Sequence, residues 1–221
     1  MAFEGAIFDC DGTLLDSLPA WQGLEGYLCS LCDGRVTRED RALLTTFTIP
    51  ETARWFHESF GLGKNVSQVV GLMDEYLVEQ YACAQLLPGV AEFLEECARA
   101  GVKMSVASSS SPAYLESGLR ASGIRDYFSA VYSVEQFGTT KREPHIYDRA
   151  RETLGTPKQA TWGFEDSQYA AETLKRAGYR VVGIYDPADV ASCDMAIAGE
   201  HSPDVLVTNF SELAPERLIS A

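Results

Sequence analysis

The chain has 221 residues, of which 46% are hydrophobic and 23% are charged, and its formal net charge is -14. The composition is that of an ordinary globular protein, and the acidic balance argues against nucleic acid or an anionic membrane as the main partner. No apolar run approaches the length of a membrane span, and the acidic N-terminus does not resemble a secretory signal. We expect a cytoplasmic protein that binds neither nucleic acid nor membrane.

The N-terminal segment joins a short apolar run, Ala6-Ile7-Phe8, to the polar sequence Asp9-Cys10-Asp11-Gly12-Thr13. The apolar run predicts a buried strand, and alternation along it predicts that the two carboxylates project together from its carboxyl end. Two adjacent carboxylates repel each other unless a cation lies between them. An ordinary polar turn is the alternative. A calcium loop is excluded, because Leu14 and Ala20 stand where it needs Gly and Glu.

The next section, residues 17–85, has helical periodicity throughout. Pro50 is expected to open one helix and Gly61 to close it, and Ser67 is expected to cap a longer one. The section ends at the helix breaker Leu87-Pro88-Gly89. It also contains a C-x-x-C pair, Cys29-Ser30-Leu31-Cys32, for which we expect buried free thiols because no second pair completes a zinc site. Without a secretory signal, we expect no structural disulfides.

From Val90 onward, predicted strands alternate with predicted helices, which is typical of a parallel sheet covered on both faces. The strands are expected at 102–107, 130–134, 161–164, 180–185 and 204–208. The fold class is therefore α/β, a Rossmann-like parallel sheet with helices on both faces plus an inserted α-helical cap. We expect residues 1–15 and 86–221 to form the core domain and residues 16–85 to form the cap.

In open α/β sheets, ligands bind at the carboxyl ends of the strands. Polar groups follow three further predicted strands: a serine run beginning at Ser108, then Lys141, then Glu165 and Asp166. Each group also has an ordinary explanation. The serine run could be a polar loop, Lys141 could be a solvated surface residue, and the acidic pair could belong to a helix N-cap. Four polar groups at four ends of one sheet favour a site that binds phosphate and a hard cation such as Mg²⁺.

These residues resemble the four motifs of the haloacid dehalogenase superfamily. The similar segments are Asp9-x-Asp11-Gly12-Thr13, Ser108, Lys141 with Pro144, and Gly163-Phe164-Glu165-Asp166-Ser167. They occur in order over the whole chain, with a helical insertion after the first motif. That placement resembles the subgroup containing beta-phosphoglucomutase and phosphoglycolate phosphatase.

The resemblance implies roles for the acidic residues. Asp9 would be the nucleophile that forms an aspartyl-phosphate, and Asp11 would be first the general acid and then the base. Mg²⁺ would be held by the Asp9 side chain, the Asp11 backbone carbonyl and Asp166, with Glu165 a direct or outer ligand. An acid/base carboxylate at Asp11 favours phosphate esters over the substrates of a dehalogenase or a phosphonatase.

The resemblance also implies a phosphate site and a substrate site. Ser108 and Lys141 would hold the phosphoryl oxygens, and the remaining phosphate-binding candidates are Gly12, Thr13 and Ser109. Trp21 and Arg54 in the insertion are candidates for substrate recognition, and Arg54 could pair with a second anionic group. Trp55 is expected in the core of the insertion instead.

Two departures from the family pattern affect the interpretation. Many relatives have Lys-Pro-x-Pro-Asp in the third motif, where this chain has Lys141-Arg142-Glu143-Pro144-His145, so the support of Lys141 is in question. Beta-phosphoglucomutases carry a histidine on the first cap helix, and the corresponding stretch, Pro19-Ala20-Trp21-Gln22, has none. This favours a phosphatase over a mutase.

The leading hypothesis is a Mg²⁺-dependent phosphatase acting on a small phosphorylated metabolite, either a sugar phosphate or a molecule like phosphoglycolate. The alternatives are a phosphomutase and a non-catalytic protein that binds a phosphorylated ligand. We expect a monomer. The cap should open and close over the site, with hinges near Leu15-Asp16-Ser17 and Gln85-Leu86-Leu87.

Overall fold

The computed structural model describes residues 3–44, 47–185 and 201–220. Its main sheet is parallel, with spatial order β5-β4-β1-β6-β7-β8. The strands are β1 Gly5–Phe8, β4 Lys103–Ser108, β5 Phe128–Ser133, β6 Thr161–Glu165, β7 Arg180–Ile184 and β8 Val205–Val207. The predicted parallel α/β sheet is confirmed, with β1 in the interior between β4 and β6.

Helices cover both faces of this sheet because the strands are apolar on both sides. On β1, Ala6 and Phe8 pack into one hydrophobic cluster, whereas Ile7 packs into the other. This alternation follows from the two-residue repeat of a strand. The helices of the core are α5 Val90–Arg99, α6 Pro112–Ala121, α7 His145–Leu154, α8 Gln168–Arg176 and α9 Pro215–Ser220.

Between β1 and α5 the chain forms the inserted helices and a short ribbon. The inserted helices are α1 Leu18–Ser30, α2 Arg38–Leu44, α3 Ile49–Phe60 and α4 Val66–Cys83. The ribbon is antiparallel and consists of β2 Leu15–Asp16 and β3 Gln85–Leu86. It joins the two chain segments where the hinges are predicted. The domain boundaries at residues 16 and 85 and the hinge motion stay predictions.

The ends of the inserted helices follow from local capping. Helix α3 has Pro50 in its first turn and ends at Gly61, which adopts a left-handed conformation with φ 65°, as predicted. The prediction that Ser67 caps α4 is wrong. The cap is Asn65, whose side chain accepts a hydrogen bond from the backbone N–H of Gln68, so Ser67 lies inside the helix.

The C-x-x-C pair lies at the end of α1, where Cys29 and Cys32 are half-buried free thiols. Cys32 donates a hydrogen bond to the carbonyl of Leu28. Burial raises the pKa of the Cys29 thiol, so this sulfur is not an activated nucleophile. Another cysteine, Cys193, lies outside the described residues. Within the part of the chain that the structure describes, no helix is both long and apolar enough to cross a membrane.

Candidate active site

The site forms at the carboxyl end of β1. The backbone N–H of Asp9 donates to the carbonyl of Phe164 on β6, which extends the strand pairing to the catalytic candidate itself. The chain then turns at Gly12, where φ is 75°, a conformation that glycine adopts without a steric penalty. Since β4 and β6 flank β1, their ends bring Ser108 and Glu165 to the same edge.

Lys141 is the buried cation of this site. Its ammonium donates to Asp9 Oδ1 and, at 2.7 Å, to Glu165 Oε1, and only 3% of its side chain is exposed. Burial lowers the pKa of Lys141, but the two carboxylates outweigh that effect and the net direction is upward. The lysine is therefore a fixed positive charge, not a solvated surface residue.

Asp9, Glu165 and Asp166 form an acidic cluster in which one oxygen from each residue lies within 4.8 Å of the others. Carboxylate oxygens are the ligands that Mg²⁺ prefers, and octahedral ligands about 2.1 Å from the ion lie roughly 3–4.2 Å apart. The cluster therefore fits a bound Mg²⁺. Gly12 leaves room for the carboxylate of Asp166 in this cluster, because a Cβ at position 12 would lie 2.2 Å from Asp166 Oδ2.

Asp11 does not share this cluster through its side chain. The carboxylates of Asp9 and Asp11 have different hydrogen-bond partners, and a cation lying between the two aspartates stays a prediction. Asp11 pairs as an isolated bridge with Leu15, and its carboxylate accepts hydrogen bonds from Ser17 and Ser110. A metal contact through its backbone carbonyl stays a prediction.

The Asp11 carboxylate is instead surrounded by hydroxyl groups. Oδ1 accepts from Ser17 and Tyr81, both at 2.5 Å. Oδ2 accepts from Ser110 at 2.6 Å and from Ser108 at 3.3 Å. Neutral donors thus hold Asp11, whereas the charged Lys141 holds Asp9. The two aspartates therefore lie in different electrostatic surroundings.

The serine run divides by exposure. Ser108 is fully buried, Ser109 is exposed, and Ser110 is buried against Asp11. Phosphate binding by Ser109 stays a prediction, and Ser110, which the sequence did not single out, donates to Asp11. Thr13 is also buried, and its hydroxyl has no hydrogen-bond partner among the residues that the structure describes, so it remains available to a polar ligand.

The substrate candidates in the insertion differ in their surroundings. Trp21 is half-buried on α1, and its indole N–H donates to the hydroxyl of Tyr81 at 2.9 Å. Arg54 on α3 is exposed. Trp55 packs edge-on against Phe56 at a centroid distance of 5.1 Å, which places it in the core of the insertion as predicted.

Two further residues contact Glu165: Tyr147, which had no sequence signal, and Ser167, the last residue of the fourth motif. Tyr147 on α7 donates from its hydroxyl to Glu165 Oε1 at 2.8 Å, and Ser167 donates to Glu165 Oε2 at 3.2 Å. With Lys141, they give the fully buried Glu165 three donors, which offset the cost of burying a carboxylate. Ser167 is the residue that precedes α8, and its side chain makes no capping bond to that helix but donates to Glu165.

Burial, reinforced by the charge of Glu165, raises the pKa of Asp166 to about 7. The metal-free folded protein therefore holds a proton at Asp166 that the unfolded chain releases near pH 4. We expect the free energy of unfolding in EDTA to fall by about 2–4 kcal/mol as pH rises from 4 to 8, measured by denaturant titration.

Asp166→Asn is the matched variant for this pH experiment, since it removes the titrating group and keeps the shape. Its unfolding free energy in EDTA should vary less with pH than that of the wild type, and saturating Mg²⁺ should reduce the wild-type loss. If the wild type instead gains stability relative to Asp166→Asn as pH rises in EDTA, the raised pKa of Asp166 is contradicted.

Arg142 and His145, which depart from the family pattern in the third motif, differ in their contacts. The guanidinium of Arg142 lies 4.7 Å from the ring centroid of Tyr169, on the first turn of α8. His145 makes a 3.3 Å contact with Glu143 and is exposed. The cation–π pair thus joins the loop that carries Lys141 to the helix that follows Asp166.

This pair predicts a measurable coupling. In a double-mutant cycle of Arg142→Ala and Tyr169→Leu, we expect a coupling energy of about 0.5–1 kcal/mol for unfolding. If the two substitutions change the free energy of unfolding additively, within the error of the urea titrations, the contact does not stabilise the loop.

A buried acidic cluster, a buried lysine and a separately held aspartate lie together at the carboxyl edge of a parallel sheet, which is where open α/β folds bind their ligands. The sequence profile of the haloacid dehalogenase-like hydrolases matches residues 6–184. The chain belongs to this family. Relatives named as phosphatases cover nearly its full length, which supports the predicted class of phosphoric monoester hydrolase.

Among curated relatives, Protein CbbY from Rhodobacter capsulatus is 29% identical over 82% of this chain and 85% of its own length. Hexitol phosphatase B from Escherichia coli is 27% identical over 97% and 96%. The crystal structure of CbbY from Rhodobacter sphaeroides with phosphate is 28% identical over 96% of each chain, with a TM-score of 0.73. A mutant of that protein was crystallised with xylulose-(1,5)-bisphosphate (26% identical over 96% of each chain, TM-score 0.74).

Proposed function

We propose that this protein is a Mg²⁺-dependent phosphatase that hydrolyses a small phosphomonoester through an aspartyl-phosphate on Asp9. The observation that carries the proposal is the pairing of buried Lys141 with both Asp9 and Glu165, beside an acidic cluster suited to Mg²⁺. A nucleophile and a cation at one strand end are what transfer of an anionic phosphoryl group requires.

In the first phosphoryl transfer, we assign a separate role to each residue of the site. Asp9 attacks phosphorus, while Lys141 neutralises charge between the carboxylate and the incoming phosphate. Ser108 and the turn at Gly12 and Thr13 hold phosphoryl oxygens. Mg²⁺, held by Asp9 and Asp166 with Glu165 beside them, would supply further charge neutralisation.

Asp11 completes the proposed reaction because the leaving oxygen needs a proton. Asp11 would donate that proton in the first transfer and then take one from the water that hydrolyses the phosphoenzyme. Its separate set of hydroxyl partners is compatible with a carboxyl group that is held near the nucleophile but not bound to its cation.

The proposed substrates are phosphorylated sugars or sugar alcohols, on the strength of the relatives named hexitol phosphatase and the CbbY crystal with a pentulose bisphosphate. Arg54, exposed on α3, is the proposed contact for a second anionic group. The monomeric state and the cytoplasmic location stay predictions.

The test is phosphate release from hexose, hexitol and pentulose phosphates, phosphoglycolate, nucleotides and p-nitrophenyl phosphate, with Mg²⁺ or EDTA. We expect release that needs Mg²⁺ and is highest among the sugar and sugar alcohol phosphates. Slow release that accompanies formation of a bisphosphate would favour the mutase instead. No release from any compound would overturn the general phosphatase.

A further inference from the structure

Tyr81, in the last turn of α4, has its hydroxyl in contact with Asp11. The hydroxyl donates to Asp11 Oδ1 at 2.5 Å, lies 3.0 Å from Ser110 Oγ, and accepts the indole N–H of Trp21 at 2.9 Å. Tyr81 is fully buried. An inserted helix therefore reaches the carboxyl group that lies beside the nucleophile, across 70 residues of sequence.

Packing alone accounts for the ring of Tyr81 but not for its hydroxyl. The ring meets Trp21 edge-on at 6.4 Å and Tyr114 at 5.5 Å, and phenylalanine would fill the same space. A buried hydroxyl stabilises a fold only where it is hydrogen-bonded. Its partners are one residue of the insertion and two residues of the site, so the hydroxyl links the insertion to Asp11.

The position of Tyr81 is fixed by close packing of α4 on α6. Gly118 on α6 has no Cβ where the two helices meet; a Cβ there would lie 3.2 Å from the Tyr81 carbonyl oxygen and 2.6 Å from Leu15 Cδ1. Ser117 on the same helix donates to the carbonyl of Val78 at 2.7 Å. The hydroxyl of Tyr81 is thus held by rigid elements.

The direction of the hydrogen bonds follows from the chemistry of the groups. An indole N–H can only donate, and a carboxylate can only accept. The Tyr81 hydroxyl therefore accepts from Trp21 and donates to Oδ1 of Asp11. Oδ1 thus receives the fixed donor, whereas the partners of Oδ2, Ser108 and Ser110, are hydroxyls that can also accept, so Oδ2 is the oxygen that can carry a proton toward a substrate.

We propose that Tyr81 is a positioning residue, which orients Asp11 so that its Oδ2 delivers a proton to the leaving oxygen of the substrate. This rests on the proposed phosphatase function. In that step the bond from phosphorus to the leaving oxygen breaks, a bond from Asp9 to phosphorus forms, and the proton of Asp11 passes to the departing oxygen, which leaves as an alcohol. Trp21 orients Tyr81 in turn.

The nature of the leaving group separates this role from a structural one. A sugar or alkyl phosphate must be protonated as it departs, whereas p-nitrophenolate departs as an anion. Because kcat/KM reports the steps up to formation of the phosphoenzyme, loss of acid positioning should lower it for the sugar phosphate only. A distorted site should lower it for both substrates.

The experiment compares Tyr81→Phe with wild type at saturating Mg²⁺, using the best sugar phosphate and p-nitrophenyl phosphate. Loss of one hydrogen bond to a charged group predicts a fall of about tenfold in kcat/KM for the sugar phosphate. For p-nitrophenyl phosphate the change should stay within about twofold. Trp21→Phe should show the same pattern with a smaller fall.

Tyr114→Phe is the matched control. Tyr114 belongs to the same aromatic group and donates to Asp74 at 2.5 Å, but no hydrogen bond joins it to Asp11. Its kcat/KM should stay near wild type for both substrates. Equal losses for both substrates in Tyr81→Phe, or none, would overturn the positioning role alone. A wild type inactive on every substrate would overturn the phosphatase as well. Trp21→Phe keeps the test decisive if Tyr81→Phe does not fold.

Discussion

Replacing Asp9 with Asn is expected to lower phosphate release by at least about a thousandfold, because the amide cannot act as the nucleophile. The variant should fold, since Asn has the shape of Asp and the residue is already buried among hydrogen-bonding groups. Burial, opposed by Lys141 and reinforced by the neighbouring carboxylates, raises the pKa of Asp9 in the absence of metal. Lys141 keeps Glu165 as its partner in this variant, so removing the Asp9 charge should not destabilise the metal-free protein severely.

The measurement is steady-state phosphate release with the best substrate, together with thermal unfolding of each protein. Asp126→Asn is the matched control, because Asp126 is exposed and lies just before β5, at the sheet edge opposite the site. It should retain wild-type activity. Activity of Asp9→Asn within about tenfold of wild type would reject Asp9 as the nucleophile.

Replacing Lys141 with Met should have the largest combined effect on activity and stability. The substitution leaves Asp9 and Glu165 buried without their shared cation, and breaking a buried ion pair on one side costs about 3–5 kcal/mol. Release of phosphate should also fall by at least about a hundredfold, because no fixed cation then faces the phosphoryl oxygens. Chemical denaturation and steady-state kinetics measure the two effects separately.

The double variant Lys141→Met with Glu165→Gln separates charge balance from catalysis. Neutralising Glu165 removes one of the two unpaired buried charges, so part of the lost stability should return while activity does not. Equal stability of the single and double variants would show that the buried charges do not account for the loss. A single variant as stable as wild type would contradict the proposed ion-pair network.

The sequence predicted the parallel sheet and the strand-end residues of the site well, since both follow from local signals. Apolar runs of strand length ending in polar groups located Asp9, Ser108 and Glu165. It missed the ribbon of β2 and β3, because two-residue strands have no periodicity. It also missed the cap at Asn65, where Ser67 offered an equally plausible signal.

The groups that the sequence did not reveal come from helices. Tyr81 and Tyr147 look like ordinary core aromatics at helical spacing, and only the packing of α4 and α7 brings their hydroxyls to Asp11 and Glu165. The division of the two aspartates between different partners was likewise hidden, because it depends on where the chain turns after Phe8. The contact of Ser110 was predictable in outline, since Ser110 lies in the serine run that follows β4.

Detection of the covalent intermediate tests the proposed role of Asp9 most directly. Enzyme mixed with its best ³²P-labelled substrate and Mg²⁺ is quenched in acid over the first turnover, and the labelled peptide is mapped. We predict a hydroxylamine-labile acyl phosphate on Asp9, absent from Asp9→Asn. Label on another residue, or phosphate release with no labelled protein at any time in that turnover, would contradict the account.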